Sequence, residues 1–177
     1  MDRARRRGAA LLFAVAAVAY IADRLTKVWA ESRLADAPID VIDGVLTLRF
    51  TTNSGGAFSI GGSTPWIFVT ASVVVIGIIV ATSFRHASAL SAVAVGLILG
   101  GALGNLTDRV TRGDAFRGRV VDFIDVHVWP IFNLADTAIV VGAVLLALGS
   151  FLDGRAERGE RGPEPTAEDG AERPDAR

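Results

Sequence analysis

The sequence predicts an all-α polytopic membrane protein with four transmembrane helices and a disordered C-terminal tail. Of its 177 residues 51% are hydrophobic, the mean hydropathy is +0.43, and the apolar residues come in blocks. Residues 66–84 and 89–107 contain no charged side chain, and a third uncharged run covers residues 137–152. About 20 helical residues cross the roughly 30 Å hydrocarbon core of a bilayer, so each run is a candidate span. Buried helices of a soluble protein are the alternative, but three would be unusual in so short a chain.

The first span is predicted at residues 9–29, directly after an arginine cluster at Arg3, Arg5, Arg6 and Arg7. A cleaved secretory signal would look similar. The helical pattern continues through residues 23–29 without Gly or Pro, which favours a retained span that ends near Trp29, an interface-type residue. Four spans place both termini on one side, and the arginine cluster favours the cytoplasmic side.

The other spans are predicted at residues 66–84, 89–107 and 133–152, and the four together make one membrane domain over residues 1–152. From residue 153 onward the chain holds five arginines, eight acidic residues and almost no large apolar side chain. Such a segment cannot bury enough apolar surface to fold, so residues 153–177 are predicted to form a disordered cytoplasmic tail.

Two segments on the opposite side are long enough to carry structure of their own. The first, residues 31–65, contains a short predicted strand at 45–50 and a glycine-rich turn at 53–58. The second covers residues 107–132 and is charged. Irregular backbone cannot face lipid, so the two segments are expected to pack together over the helix ends, at or above the membrane surface.

Asp122 and Asp136 are the strongest candidates for a function. Asp122 lies within the apolar stretch 120–124, and Asp136 comes directly before the last apolar run. A carboxylate at the edge of the hydrocarbon costs a few kcal/mol, so such residues are functional candidates by default. A pair of them indicates acid/base chemistry, in which one carboxyl keeps a proton while the other is charged. The sequence leaves open which of the two holds the proton.

Other polar residues are expected at the same end of the bundle. Consecutive spans run in opposite directions, so the ends of the first and third spans and the starts of the second and fourth share one membrane face. The residues concerned are Asp23, Lys27, Asn53, Asn105, Asp108, Arg109 and Asn133.

Several of these residues also have a purely structural interpretation. Asp23 and Lys27 have the i, i+4 spacing of a pair that merely supports a helix. Asp108 and Arg109 could be interface anchors at the end of a span. Gly100 and Gly104 have the G-x-x-x-G spacing of a close helix contact, and we expect them to serve packing.

The candidates in the loops have structural alternatives too. Asn53 and Asn133 could cap a turn or a helix. Asp136 could be a first-turn acid favoured by the helix dipole. Asp114 and Asp125 are expected to be solvated.

The composition excludes several kinds of site. The chain has no cysteine, so disulfides and cysteine metal sites are excluded, and with only His86 and His127 a multi-histidine metal site is not expected. The sequence has no phosphate-binding loop or nucleotide fingerprint. We therefore expect no metal, no cofactor and no nucleic-acid partner.

Five sequence blocks appear in order and together resemble one family. They are Asp23 to Lys27, then Asn53-x-Gly55-x-Ala57-Phe58, then Gly100 to Arg109, then Val120 to Ile124, and finally Phe132 to Asp136. In combination they are similar to the bacterial lipoprotein signal peptidases, also called signal peptidase II, which are aspartyl proteases of the inner membrane. The resemblance covers residues 9 to 152, although residues 109–119 are longer than usual for the family and residues 123–130 shorter.

The resemblance implies a fold, a reaction and a set of roles. The fold is four membrane helices with an extracytoplasmic β-cradle and a short interfacial helix in the first loop. The reaction is cleavage of lipid-modified prolipoproteins before a diacylglyceryl-modified cysteine, by a monomer among membrane lipids, at the extracytoplasmic face. Asp122 and Asp136 take the catalytic positions. The supporting positions fall on Asn53, Asn105, Arg109, Asn133, Asp23 and Lys27.

A non-enzymatic membrane protein, such as a small carrier or an assembly subunit, is the alternative. A proton-coupled carrier should place charged groups near the middle of the bilayer and often contains repeats. Here the centres of the last three spans are uncharged and the acidic residues lie at one end of the helix bundle, which favours a site at the membrane surface.

Overall fold

Four long helices account for most of the structure. The computed structural model describes residues 3–55, 66–85, 88–113 and 118–160, with residues 153–160 as backbone only. The helices are α1 (Arg3–Arg33), α2 (Trp66–Thr82), α3 (Ala89–Thr111) and α4 (Leu134–Glu160), and a 3-10 turn at Ser83–Arg85 follows α2.

All four helices are long and apolar enough to cross a membrane. In α2 only Ile79 is buried, while Val73, Val74 and Ile78 are each more than half exposed. A soluble protein does not leave such a continuous apolar surface in water, whereas lipid covers it without cost. The four predicted spans are therefore confirmed, and the alternative of buried helices in a soluble protein is wrong.

The helices extend beyond the predicted spans at several ends. α1 begins at Arg3 and ends at Arg33, α3 continues to Thr111, and α4 continues to Glu160 rather than ending at residue 152. The residues beyond 152 include Ala, Glu and Arg, which continue an existing helix readily. The rest of the predicted tail, residues 161–177, lies outside the described residues.

A small antiparallel sheet lies at the end of the bundle that contains the C-terminus of α1. Its strands are β1 (Ile39–Ile42), β2 (Leu46–Asn53) and β3 (Val120–Asp125), in the order β1-β2-β3. β2 contains the strand predicted at residues 45–50, and β3 comes from the second loop, so the two loops pack together as expected. Residues 56–65, which hold part of the predicted glycine-rich turn, lie outside the described residues, and residues 34–55 contain no helix. The interfacial helix implied for the first loop is therefore not among the described residues.

The centre of the bundle is α3, which packs against both α1 and α4. An added Cβ at Gly100 would lie 2.6 Å from the Ala16 carbonyl oxygen, and one at Gly142 would lie 2.5 Å from that of Ala94. The expected packing role of Gly100 is thus confirmed, because only glycine lets these backbones approach so closely. A core that includes Leu12, Val95 and Leu99 fills the space between α1 and α3.

Candidate active site

A buried ion cluster links the C-terminal parts of α1 and α3. The Lys27 ammonium has no exposed surface and lies 2.9 Å from Asp23 and 3.0 Å from Asp108. It also donates to Oδ1 of Asn105 at 2.9 Å. A buried charge is tolerated only when it is paired and its donors are satisfied, and all three contacts of Lys27 meet that need. Asp23 and Lys27 therefore do more than form a helix-surface pair.

Asp108 is the most heavily used acid of this cluster. It pairs with Arg24, and it accepts from Nε of Arg112 at 2.8 Å. Arg112 also reaches Glu31 at 3.0 Å, which ties the end of α1 to the end of α3. An interface anchor would be partly exposed, whereas Asp108 is fully buried. Neither Arg24 nor Arg112 was singled out from the sequence, because any of several acids could have been their partner.

The two acids beside Lys27 hold the backbone next to the candidate catalytic residues. Oδ2 of Asp108 accepts from the N–H of Val121 at 3.2 Å, one residue before Asp122. Oδ1 of Asp23 accepts from the N–H of Ala135 at 3.0 Å, one residue before Asp136. One buried lysine thus fixes both acids, and each acid fixes one candidate aspartate through its neighbour.

Asn133 connects the two candidate aspartates directly. As the residue before α4 it accepts the N–H of Asp136 on its Oδ1 at 2.9 Å, while Oδ2 of Asp136 accepts the N–H of Asn133 at 3.3 Å. This reciprocal pair is a capping box. Nδ2 of Asn133 donates to Oδ1 of Asp122 at 2.6 Å. The predicted capping roles are therefore real, and the same side chains also join the two carboxyl groups.

Asn105 completes the connection from the ion cluster to Asp136. Its Oδ1 accepts from Lys27, and its Nδ2 donates to Oδ1 of Asp136 at 2.8 Å. Because Lys27 can only donate, it fixes which end of the Asn105 amide faces Asp136.

The surroundings of Asp122 favour its protonated form. The residue is 2% exposed on a strand that is covered along almost its whole length. Burial and the nearby charge of Asp136 raise the pKa of Asp122 to about 7, against the lowering effect of hydrogen bonds from Asn133 and Asn53. Asn53 reaches the carboxyl because β2 and β3 pair with Asn53 opposite Val120, two residues from Asp122.

A cavity of about 370 Å³ opens beside these carboxyls. Asp122, Asp136, Asn53 and Asn105 contribute its polar lining, and α2 and α4 contribute apolar side chains that include Phe68, Ala71, Ile139 and Val140. The cavity can therefore hold a polar backbone beside the acids and apolar groups towards the membrane.

Arg109 lies in the wall of this cavity and is 6% exposed. Its Nη2 donates to the Gly55 carbonyl at 2.7 Å, and its guanidinium lies 4.9 Å from the ring centre of Phe68. Its Nη1 has no hydrogen-bond partner among the described residues. A buried donor without a partner is costly, so this nitrogen is suited to donate a hydrogen bond to a ligand carbonyl.

Two further expectations meet different outcomes. The predicted solvation of Asp125 is wrong, since the residue is 4% exposed and pairs with Arg49 at 2.7 Å. It is buried because β3 is covered on both faces rather than on one. Asp114 lies outside the described residues.

Gly104 leaves no room for a Cβ because the Asp23 carboxylate occupies that space, so this glycine serves the site as well as the helix contact.

Comparisons with known proteins identify the family of this chain. The family model described as signal peptidase (SPase) II matches residues 15–152. The lipoprotein signal peptidase of Syntrophomonas wolfei is 44% identical over 139 residues, which cover 77% of this chain and 90% of that protein. The lipoprotein signal peptidase of Mycolicibacterium smegmatis is 46% identical over 145 residues, 80% of this chain and 61% of that protein.

A solved structure has the same fold. It is titled a bacterial membrane enzyme at 2.3 Å resolution, and it matches with a TM-score of 0.72 and 26% identity over 88% of this chain and 93% of that one. The family match covers most of the membrane domain, and it sets aside the alternative of a non-enzymatic carrier or assembly subunit. The chain belongs to the signal peptidase II family of membrane proteases.

Proposed function

We propose that this chain removes signal peptides from lipoprotein precursors, and that it cuts before a diacylglyceryl-modified cysteine with Asp122 and Asp136 as the catalytic pair. The single observation that carries the roles of these residues is their shared cavity, in which Asn133 and Asn105 connect both carboxyls. The reaction follows from family membership, and the lipid-modified cysteine is what the family resemblance implies.

In this proposal Asp122 is the protonated member of the pair and Asp136 the ionised one. The raised pKa of Asp122 keeps a proton there up to about pH 7. Asp136 accepts N–H donors from Asn105 and Asn133 and lies in the first turn of α4, where the helix dipole favours negative charge.

The reaction then needs only water. Asp136 takes a proton from a water molecule, whose oxygen attacks the scissile carbonyl carbon while Asp122 gives its proton to the carbonyl oxygen. The tetrahedral intermediate collapses when the carbon–nitrogen bond breaks. Asp136 passes its proton to the leaving nitrogen, and Asp122 recovers a proton from an intermediate hydroxyl. Each acid ends the cycle in its starting state.

The cavity wall supports the choice of substrate. An apolar signal helix can lie against α2 and α4, and the lipid chains of the modified cysteine can stay in the membrane while the peptide bond reaches the acids. Arg109 is assigned to a substrate backbone carbonyl through its free Nη1, with Asn53 as a second contact.

The placement in the cell is part of the proposal. The arginine cluster Arg3, Arg5, Arg6 and Arg7 favours cytoplasmic termini, which puts the catalytic end of the bundle on the extracytoplasmic side. We further infer that the protein works as a monomer among membrane lipids, as the family resemblance implies.

The test is cleavage of a synthetic precursor peptide by the purified protein in detergent, followed by mass spectrometry. Two peptides are compared, one with an S-diacylglyceryl cysteine and one with a free cysteine but otherwise identical. We expect cleavage directly before the cysteine in the lipidated peptide alone. Equal cleavage of both peptides would refute the lipid requirement, and an intact lipidated peptide after incubation with folded protein would refute the reaction.

A further inference from the structure

The loop between β3 and α4 contains a strained turn centred on His127. This residue has φ 61°, a region that side chains other than glycine rarely occupy. The Val128 N–H donates to the Val126 carbonyl at 2.7 Å across it, and Oδ1 of Asp125 accepts the His127 N–H at 2.8 Å. A turn of this kind costs free energy, and it persists only where neighbouring contacts hold it.

The turn sends the following residues across the cavity mouth. After it, Trp129, Pro130 and Ile131 line the cavity, and Phe132 then returns to pair with Ile124 on β3 through bonds of 2.9 and 3.1 Å. Residues 126–131 are thus an excursion fixed at its far end by the bridge between Phe132 and Ile124. The turn at His127 fixes its near end.

The His127 side chain is fastened to the sheet. Its Nε2 lies 3.0 Å from Oγ1 of Thr47, which in turn donates to Oδ1 of Asp40 at 2.7 Å. The Thr47 hydroxyl has only one proton, and Asp40 receives it, so the histidine ring must be the donor to Thr47. Thr47 is 7% exposed and pairs with Asp40 on β1 and Asp125 on β3, so this row crosses the whole sheet.

We propose that Thr47 and His127 are positioning residues that hold residues 126–131 as one wall of the substrate cavity. No contact joins them to Asp122 or Asp136 among the described residues, and neither belongs to the sequence blocks that carry the family resemblance. The wall presents Trp129, Pro130 and Ile131, so it contacts an apolar part of the substrate. This inference rests on the proposed function, because it assigns that wall to the same substrate.

The wall contributes to binding before and during the reaction alike, while Asp122 and Asp136 keep their own connections through Asn133 and Asn105. Uniform loss of binding raises KM and leaves kcat unchanged. The net value of one such hydrogen bond corresponds to about a twofold to tenfold change in KM.

The test compares the wild type and four variants with the lipidated precursor peptide. Thr47→Val removes the hydroxyl at nearly constant shape, and His127→Gly removes the ring while tolerating the positive φ. We expect both to raise KM about twofold to tenfold with kcat within about twofold. Thr47→Ser keeps the hydroxyl and is expected to match the wild type. The double variant is expected to have a KM no higher than that of either single variant, because both substitutions break the same hydrogen bond between Thr47 and His127.

Each alternative outcome would overturn the proposal. An unchanged KM in Thr47→Val would do so, as would an equal defect in Thr47→Ser. A fall in kcat at constant KM would mean that the pair only supports the fold.

A second readout does not depend on cleavage. The protein is labelled with 5-fluorotryptophan, which gives three ¹⁹F signals from Trp29, Trp66 and Trp129. We expect Thr47→Val and His127→Gly to shift or broaden the Trp129 signal and to leave the other two in place. An unchanged Trp129 signal in both variants would refute the anchoring even if the wild type cleaved no peptide, so failure of the two proposals can be distinguished.

Discussion

Replacing Asp122 by asparagine should abolish cleavage and also make the protein more stable at alkaline pH. The carboxyl is 2% exposed, and its pKa rises from 3.8 to about 7 on folding. Between these two values the folded state binds more protons at this site than the unfolded state does. Stability is therefore lost as the pH rises towards 7, by about 4 kcal/mol in total, and stays constant above that. About 3 kcal/mol of this loss falls between pH 5 and pH 8.

Asparagine has nearly the same shape as aspartate but never ionises, so Asp122→Asn escapes this loss. Its advantage over the wild type in free energy of unfolding should grow by about 3 kcal/mol from pH 5 to pH 8. The measurement is SDS-induced unfolding in mixed micelles, followed by tryptophan fluorescence at both pH values. The comparison at each pH cancels the titration of groups that do not interact with Asp122.

The matched control is Asp43→Asn, in the exposed turn between β1 and β2. It also removes one carboxyl, but an exposed one, so it controls for the loss of a carboxyl that is not buried. A difference between Asp122→Asn and wild type that is equal at pH 5 and pH 8 would refute the assignment of a raised pKa to Asp122.

Three further predictions concern the same site. The ratio kcat/KM of the wild type should fall as the pH rises above about 7, because Asp122 then loses the proton that it must donate; a pH–rate profile with the peptide checks this, and an undiminished rate at pH 9 would contradict it. Lys27→Met leaves the buried Asp23 carboxylate without its ion pair and takes one of three cationic partners from Asp108, so it should lower the free energy of unfolding by about 3–5 kcal/mol and the activity with it; an unfolding curve like that of the wild type would count against the ion cluster. Arg109→Lys keeps the charge but loses the planar guanidinium, whose two terminal nitrogens can contact Gly55 and a substrate in fixed directions, so KM should rise about tenfold in steady-state cleavage assays; an unchanged KM would remove Arg109 from substrate binding.

The sequence predicted the four spans and the end of the bundle at which the polar residues meet. Both follow from local information. The length of an apolar run shows that it can cross the membrane, and the alternating direction of consecutive spans determines which of their ends lie on the same membrane face. The two aspartates could be found for a related reason: a carboxyl inside an apolar stretch is expensive and has few structural uses.

The pairing inside the site could not be predicted from the sequence. Arg24, Lys27 and Arg112 could each have paired with Asp23, Asp108 or another acid at that mouth, and only the packing of α1 against α3 decides among them. Gly104 is the one position whose spacing carried some of this information, since it leaves room for the Asp23 carboxylate.

The second loop was the least predictable part. The burial of Asp125 depends on how β3 pairs with β2, a contact between residues more than 70 positions apart. The turn at His127 and its contact with Thr47 depend on that same pairing. No periodic pattern in the sequence reports such a contact.

The most direct measurement for the catalytic pair is the cleavage rate of Asp136→Asn with the lipidated precursor peptide, with Asp125→Asn beside it. Asp125 is also a buried aspartate, on β3, but its carboxylate faces Arg49 and the His127 N–H rather than the cavity. We expect Asp136→Asn to fold and to lose cleavage entirely, and Asp125→Asn to keep kcat near the wild-type value, with KM raised no more than in His127→Gly. Turnover at the wild-type rate by folded Asp136→Asn would contradict the two-aspartate mechanism.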